Sequence, residues 1–189
     1  SPQPLITIQA LDDLRDNFGM PGDDREAAAA LRAAVAHHGP VYVRLARDVA
    51  PRLPTSREPF AIGPAVSLRD GADVALFTTG QQSVRTLEAS GLLADRGIQA
   101  AVVHLPTIKP LDVAAVAASA ATTGLAVTTE DHSITGGLGG VVAETLASHR
   151  PTPLLRLGID DSWGESAPND VLLERHGLTP GRIAAAVEA

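Results

Sequence analysis

The chain's 189 residues suffice for one sizeable domain or two small ones, and 44% of them are hydrophobic, so a substantial core can form. Lys and Arg number 15 against 22 Asp and Glu, a formal net charge of −7 that argues against general attraction to nucleic acid or an anionic membrane; the absence of cysteine excludes disulfides, zinc–thiolate sites and thiol nucleophiles. No apolar run reaches the roughly 18 residues of a membrane span, and SPQPLITIQALDD lacks the basic-then-apolar order of a signal peptide, so the expected location is cytoplasmic.

The first clear helix is DDREAAAALRAAVAHHG. Asp23 is placed to cap it, and Glu26 follows three residues later in capping-box spacing. Ala27, Ala30, Leu31, Ala34 and Val35 share one face, and Gly39 with Pro40 ends the helix. VYVRLAR alternates Val41, Val43 and Leu45 with Tyr42, Arg44 and Ala46, a strand pattern. DVAPRLPTSREPF has no periodicity and sets Pro51, Pro54 and Pro59 among charged and small polar residues, so it reads as a linker.

A regular rhythm follows. ADVALFTTG, IQAAVVHLP, GLAVTTE and TPLLRLGI read as strands. Helices are expected through Val84, Leu87 and Leu92, over PLDVAAVAASAA with Pro110 in its first turn, and over GLGGVVAETLASH. Two short helices near NDVLLERHG and TPGRIAAAVEA close the chain, with Asn169 and Thr179 as caps. Continuous apolar strands separated by amphipathic helices predict an α/β fold of three layers, a mostly parallel sheet with helices on both faces. Ligands of such sheets sit beyond the carboxyl ends of the strands, which directs attention to Thr78–Gln82, His104–Pro110 and Glu130–Gly140.

Within TTEDHSITGGLGGVVAETLA, Gly136 and Gly137 permit a tight corner, and Gly139 and Gly140 let the helix approach the sheet. Free amides at a helix start can hold an anion, but GGLGG is not the G-x-G-x-x-G of a dinucleotide site. Glu130, Asp131, His132 and Ser133 include the residue types of an acid–base set with a nucleophile. Neighbours in a chain rarely face one another, so the plainer reading makes Glu130 and Asp131 turn buttresses and leaves His132 at a surface or interface. Arg44 and Arg47 stand three apart near a strand end, where an arginine can fork onto a phosphate; solvated charge before a linker is the alternative. Lys109 could bind an anion, or simply be exposed. His37, His38, His149 and His176 fall near helix ends, where a cationic side chain suits the dipole.

HLPTIKPLD, TTEDHSITGGLGGVVAETLA and LRLGIDDSWGESAPNDVLLERHGLTPGRIAAAV, in that order, resemble the transketolase C-terminal domain. The likeness is nearest to the C-terminal subunit of split, two-chain transketolases. 1-Deoxyxylulose-5-phosphate synthases and the β subunits of 2-oxo acid dehydrogenases share parts of the pattern. DDREAAAALRAAVAHHGPVYVRLARDVAP resembles the end of the family's pyrimidine-binding domain. The preceding LDDLRDNFGMPGDD departs from the family, being short for the strand expected there, which leaves the fold of residues 1–20 unassigned.

The resemblance implies a C-terminal remnant of a pyrimidine-binding domain over 1–50, a linker over 51–62 and the C-terminal domain over 63–189, its sheet carrying one antiparallel edge strand. It implies transfer of a two-carbon ketol unit between sugar phosphates, with Arg47 at the position that contacts substrate phosphate. Glu130, Asp131, His132, Gly136 and Gly137 are left as structural or interface residues, and no residue here as catalytic. Thiamine diphosphate and Mg2+ are implied for the complete enzyme. This chain alone, lacking the G-D-G-containing cofactor motif, is expected neither to bind them nor to be active. Implied partners are an N-terminal transketolase subunit or upstream domains, and a second copy through the C-terminal domain. A non-catalytic dimerisation module is the other class of reading.

Overall fold

The computed structural model describes residues 18–46, 51–54 and 60–189; Arg47 and residues 1–17 are outside the described residues. In chain order the elements are β1 (Phe18–Gly19), α1 (Asp24–Ala36), β2 (Tyr42–Val43), β3 (Val66–Arg69), β4 (Val74–Thr78), α2 (Gln82–Ala94), β5 (Ala100–His104), β6 (Thr107–Lys109), α3 (Val113–Thr123), β7 (Ala126–Ser133), α4 (Leu138–His149), β8 (Leu154–Ile159), α5 (Asn169–Arg175) and α6 (Pro180–Glu188).

The larger sheet has the order β3-β5-β4-β7-β8. Its strands β5, β4, β7 and β8 are parallel, and β3 lies antiparallel at the edge. Side chains alternate across a strand, and every residue of β4 and β5 is buried, so this sheet is covered twice. Ala75, Phe77 and Val103 pack with Val116 and Ala120 of α3 and Val142 and Leu146 of α4. Val74, Leu76 and Val102 pack on the other face with Ala89 and Leu93 of α2 and Ile183 and Ala184 of α6. Fully burying a side chain such as Phe77 contributes roughly 1.5–3 kcal/mol. The result is the three-layer, mostly parallel architecture that the apolar runs predict.

The connection from β4 to β5 runs one way along the sheet, and the connection from β5 to β7 steps back past β4. The carboxyl ends of β4 and β7 therefore flank a point where strand order reverses, the position at which such sheets open a crevice.

A smaller sheet of order β2-β1-β6 joins the amino-terminal segment to this frame. β1 is parallel to β2 and antiparallel to β6. Met20 donates its amide to the Pro106 carbonyl at 2.8 Å, and Gly80 donates to the Met20 carbonyl at 3.1 Å. Asp23 caps α1, accepting from the Glu26 amide at 2.8 Å. Its other oxygen accepts from the Leu53 amide at 2.9 Å, while Arg25 donates to the Leu53 carbonyl at 3.1 Å. Residues 51–54 thus lie against the start of α1.

Several expectations need correction. α1 buries Glu26, Ala29 and Ala30, whereas Leu31 and Val35 are 46% and 89% exposed; the polar contacts of its first turn, not its longest apolar row, set its orientation. The strand in VYVRLAR is confined to Tyr42–Val43 among the described residues. PTIK contributes β6, paired to β1, where a loop was expected. α3 starts at Val113 behind an Asp112 cap, so Pro110 lies outside it. Asn169 opens α5 without capping it. Thr179 occupies a cap position but makes no capping bond, its hydroxyl lying 2.8 Å from a Glu174 carboxylate oxygen. β7 runs on past Glu130 through residues 131–133, because after a register shift Ser133 still pairs with Ile159 of β8.

Candidate functional site

A cleft of about 570 Å3 opens at the crevice beside β4 and β7. Thr79, Gly80 and Gln81 follow β4 and form one wall, Asp131 of β7 another, and Glu165–Asn169 a third. The amino-terminal segment closes it with Met20, Pro21 and Arg44–Ala46. Two hydrogen bonds place Arg44. Its amide donates to the Gly19 carbonyl at 3.0 Å, and its Nη2 donates to the Asp131 carbonyl at 3.1 Å. Its Nη1 is buried without a hydrogen-bond partner, a costly condition for a cationic group. Arg47, three residues on, is the expected phosphate contact and falls outside the described residues.

The corner after β7 is built on Glu130, which is 1% exposed. Its carboxylate accepts from the Leu138 amide at 2.7 Å and from the Gly139 amide at 2.8 Å. Two of the donors left open at the start of α4 are thereby satisfied, and the negative charge meets the positive end of the helix dipole. Burial raises the Glu130 carboxyl above its ordinary value of 4.5, against the downward pull of the Gly139 and Leu138 amides. The glycine run therefore receives an internal carboxylate at the point where a dinucleotide phosphate would sit.

Each glycine of the run has its own circumstance. Gly136 has φ +75 and takes the left-handed turn. At Gly137 a Cβ would stand 2.0 Å from Glu130 Oε2. At Gly139 it would stand 3.0 Å from Thr128 Oγ1 and 2.8 Å from Arg156 Cδ. Gly140 faces open space, so the close approach of helix to sheet rests on Gly139 and not on Gly140. Asp131 is half-buried, and it is its backbone carbonyl that touches Arg44. His132 is exposed, with Nδ1 3.0 Å from the Ser133 carbonyl oxygen. Glu130 turns to the Leu138 and Gly139 amides, and the Ser133 hydroxyl accepts from the Thr135 amide at 3.2 Å. Lys109 is exposed at the end of β6.

One constellation is not apparent in the sequence. Glu26 Oε2 lies 2.8 Å from His104 Nε2, and His104 Nδ1 lies 2.7 Å from Ser83 Oγ. Glu26 also accepts from the Gly22 amide at 2.6 Å. Carboxylate, imidazole and hydroxyl in series is the order of a hydrolytic triad. Here His104 and Ser83 are fully buried and Glu26 is 3% exposed, so no substrate carbonyl can reach the hydroxyl. The chain is a clamp between α1, β5 and α2. A histidine closing a buried apolar strand, in AAVVH, is the one sequence sign of it.

Among the described residues no three His, Asp or Glu side chains come together as metal ligands.

The sheet order and the crevice at its switch point are those of a doubly wound α/β domain. A family model, transketolase C-terminal domain, matches residues 63–183, and the chain belongs to that family. It is 42% identical over 163 residues to the 6-deoxy-6-sulfo-D-fructose transketolase subunit SqwH of Clostridium sp. (strain MSTE9), an overlap of 86% of this chain and 51% of that protein. It is 36% identical over 173 residues to 1-deoxy-D-xylulose-5-phosphate synthase 1 of Geobacter sulfurreducens, 89% of this chain and 27% of that one. A solved split-gene transketolase, described as an inactive β4 tetramer, superposes with a TM-score of 0.86 at 37% identity, over 92% of this chain and 57% of that chain. The chain spans about half the length of SqwH and of the split-gene transketolase.

Proposed function

We propose that this chain is the C-terminal part, or subunit, of a cytoplasmic transketolase-like enzyme that moves a two-carbon ketol unit between sugar phosphates. The observation that carries the reading is the 42% identity to a transketolase subunit, over 86% of this chain and only half of that subunit. On this reading residues 1–50 are the end of a pyrimidine-binding domain, 51–62 a linker and 63–189 the C-terminal domain. Thiamine diphosphate, with Mg2+, supplies the carbanion chemistry in the assembled enzyme, and its seat lies on a partner chain or on upstream domains. The chain alone is inactive. Its own tasks are to hold the segment that leads to Arg47, to take a substrate phosphate through Arg47, and to contribute subunit contacts. The Arg44 bonds support the first task, because three residues before Arg47 they tie the backbone to Gly19 of β1 and the Arg44 side chain to Asp131 of β7.

The test is to mix the chain with an N-terminal transketolase section, thiamine diphosphate and magnesium, and to follow ketol transfer. Activity only in the mixture supports the subunit reading. Formation of 1-deoxyxylulose 5-phosphate in place of ketol transfer would favour the synthase branch, to which the 36% identity extends.

A non-catalytic, self-associating module is the second reading. It is favoured by the description of the 37%-identical structure as an inactive tetramer of β chains. A stable homo-oligomer that gains no activity with the N-terminal section would establish it.

A further inference from the structure

The chain's single tryptophan, Trp163, is 97% exposed, more than any other large hydrophobic residue among those described. It stands between β8 and α5, beside a pocket of about 140 Å3 whose apolar wall includes Ile159, Leu172, Leu173 and Leu178. Leu173 and Leu178 belong to the core, so this wall is fixed before anything docks. A tryptophan left wholly in water next to a preformed apolar pocket is the composition of an interface hot spot, where aromatic anchors carry most of the binding energy.

Charge selects the occupant. Glu165, on the pocket rim, is already paired with Arg175. Asp160 and Asp161 are exposed and have no ion pair among the described residues. A symmetric contact would set this patch against its own copy, bringing four uncompensated carboxylates together. A side chain with an aliphatic stem and a cationic head suits the site instead. The stem can enter the pocket, which Asp131 also lines, and the head can lie over the indole face within about 6 Å, beside the segment that carries Asp160 and Asp161 just before Trp163.

We propose that Trp163 and the adjoining Leu172–Leu173–Leu178 pocket form a docking socket for an arginine- or lysine-bearing surface of a partner chain, and not for a second copy. The proposal rests on the reading that the chain works with another polypeptide, but its test needs no activity and can fail separately. Because Trp163 is unique, its fluorescence reports this one site. The full-length chain is titrated with acetylated tetra-arginine, and with acetylated tetra-glutamate as control.

A saturable change with tetra-arginine alone is expected, weakened at least tenfold in the double variant Asp160→Asn/Asp161→Asn. Both substitutions are at exposed, unpaired positions, so the variant keeps its fold and the comparison stays valid. No change with tetra-arginine, or an equal change in the double variant, overturns the proposal. So does an emission maximum that shifts with the chain's own concentration, which would give the socket to a second copy.

Discussion

Glu26 and His104 are separated by 78 positions in sequence, yet their side chains meet at 2.8 Å with almost no exposure to solvent. This contact ties the amino-terminal helix to the end of a central strand. Removing one partner strands the other in a buried site. Glu26→Ala also leaves the Gly22 amide without its acceptor. A loss of at least about 1–3 kcal/mol is expected from leaving a buried polar group unsatisfied. Denaturant unfolding of Glu26→Ala, His104→Ala and the double variant measures it. The two losses should be strongly non-additive; simple additivity would show that the contact does not couple the two elements.

Gly137 and Gly140 sit three residues apart and should respond to alanine with opposite signs. A Cβ at Gly137 meets Glu130 Oε2 at 2.0 Å, so Gly137→Ala must displace the carboxylate that holds the helix start. At least about 1–3 kcal/mol should be lost, the cost of leaving a buried polar group unsatisfied. Gly140 is helical with open space around it, and Gly140→Ala should gain about 0.5–1 kcal/mol from helix propensity. Thermal melts of the two variants give the comparison directly.

The raised carboxyl of Glu130 gives stability a definite pH dependence. Its folded value lies above the ordinary 4.5, so the folded protein binds this proton more tightly than the unfolded chain does. Its contribution favours folding below pH 4.5 and is withdrawn as pH rises through the raised value. Glu130→Gln abolishes the titration. From about pH 4 to about pH 7, wild type should lose stability relative to that variant. A wild-type advantage that grows with pH would show that the amide hydrogen bonds outweigh burial.

Arg47 is tested in the assembled enzyme. If it forks a substrate phosphate, Arg47→Ala removes charge-assisted hydrogen bonds worth about 1.5–3 kcal/mol. The apparent KM for phosphorylated sugars should then rise roughly tenfold to a hundredfold, with little change for unphosphorylated analogues. An equal effect on both classes of substrate would remove Arg47 from phosphate recognition.

The larger sheet is legible because β4 and β5 are continuous apolar runs, buried on both faces. The full extent of β7 is not, because Asp131, His132 and Ser133 look like a loop; the strand is carried on to Ser133 by the pairing of Ser133 with Ile159 of β8, which no local pattern encodes. The same limit applies to β6, a strand only by virtue of β1. For α1 the apolar row through Leu31 and Val35 misleads, since Glu26 and Asp23 turn the helix so that their polar contacts are inside. The Glu130 corner is partly legible from the acidic residue and the glycines; that Gly137 is required by the carboxylate beside it emerges only in three dimensions.

The bonds from Met20 to Pro106 and Gly80, with the β1–β6 pairing and the Glu26–His104 contact, carry the attachment of the amino-terminal segment. None of them depends on the peptide bonds between residues 54 and 60. Two polypeptides divided in that stretch should therefore migrate as one particle under native conditions and separate only in denaturant. The segment and the remainder, made separately, would recombine by fragment complementation.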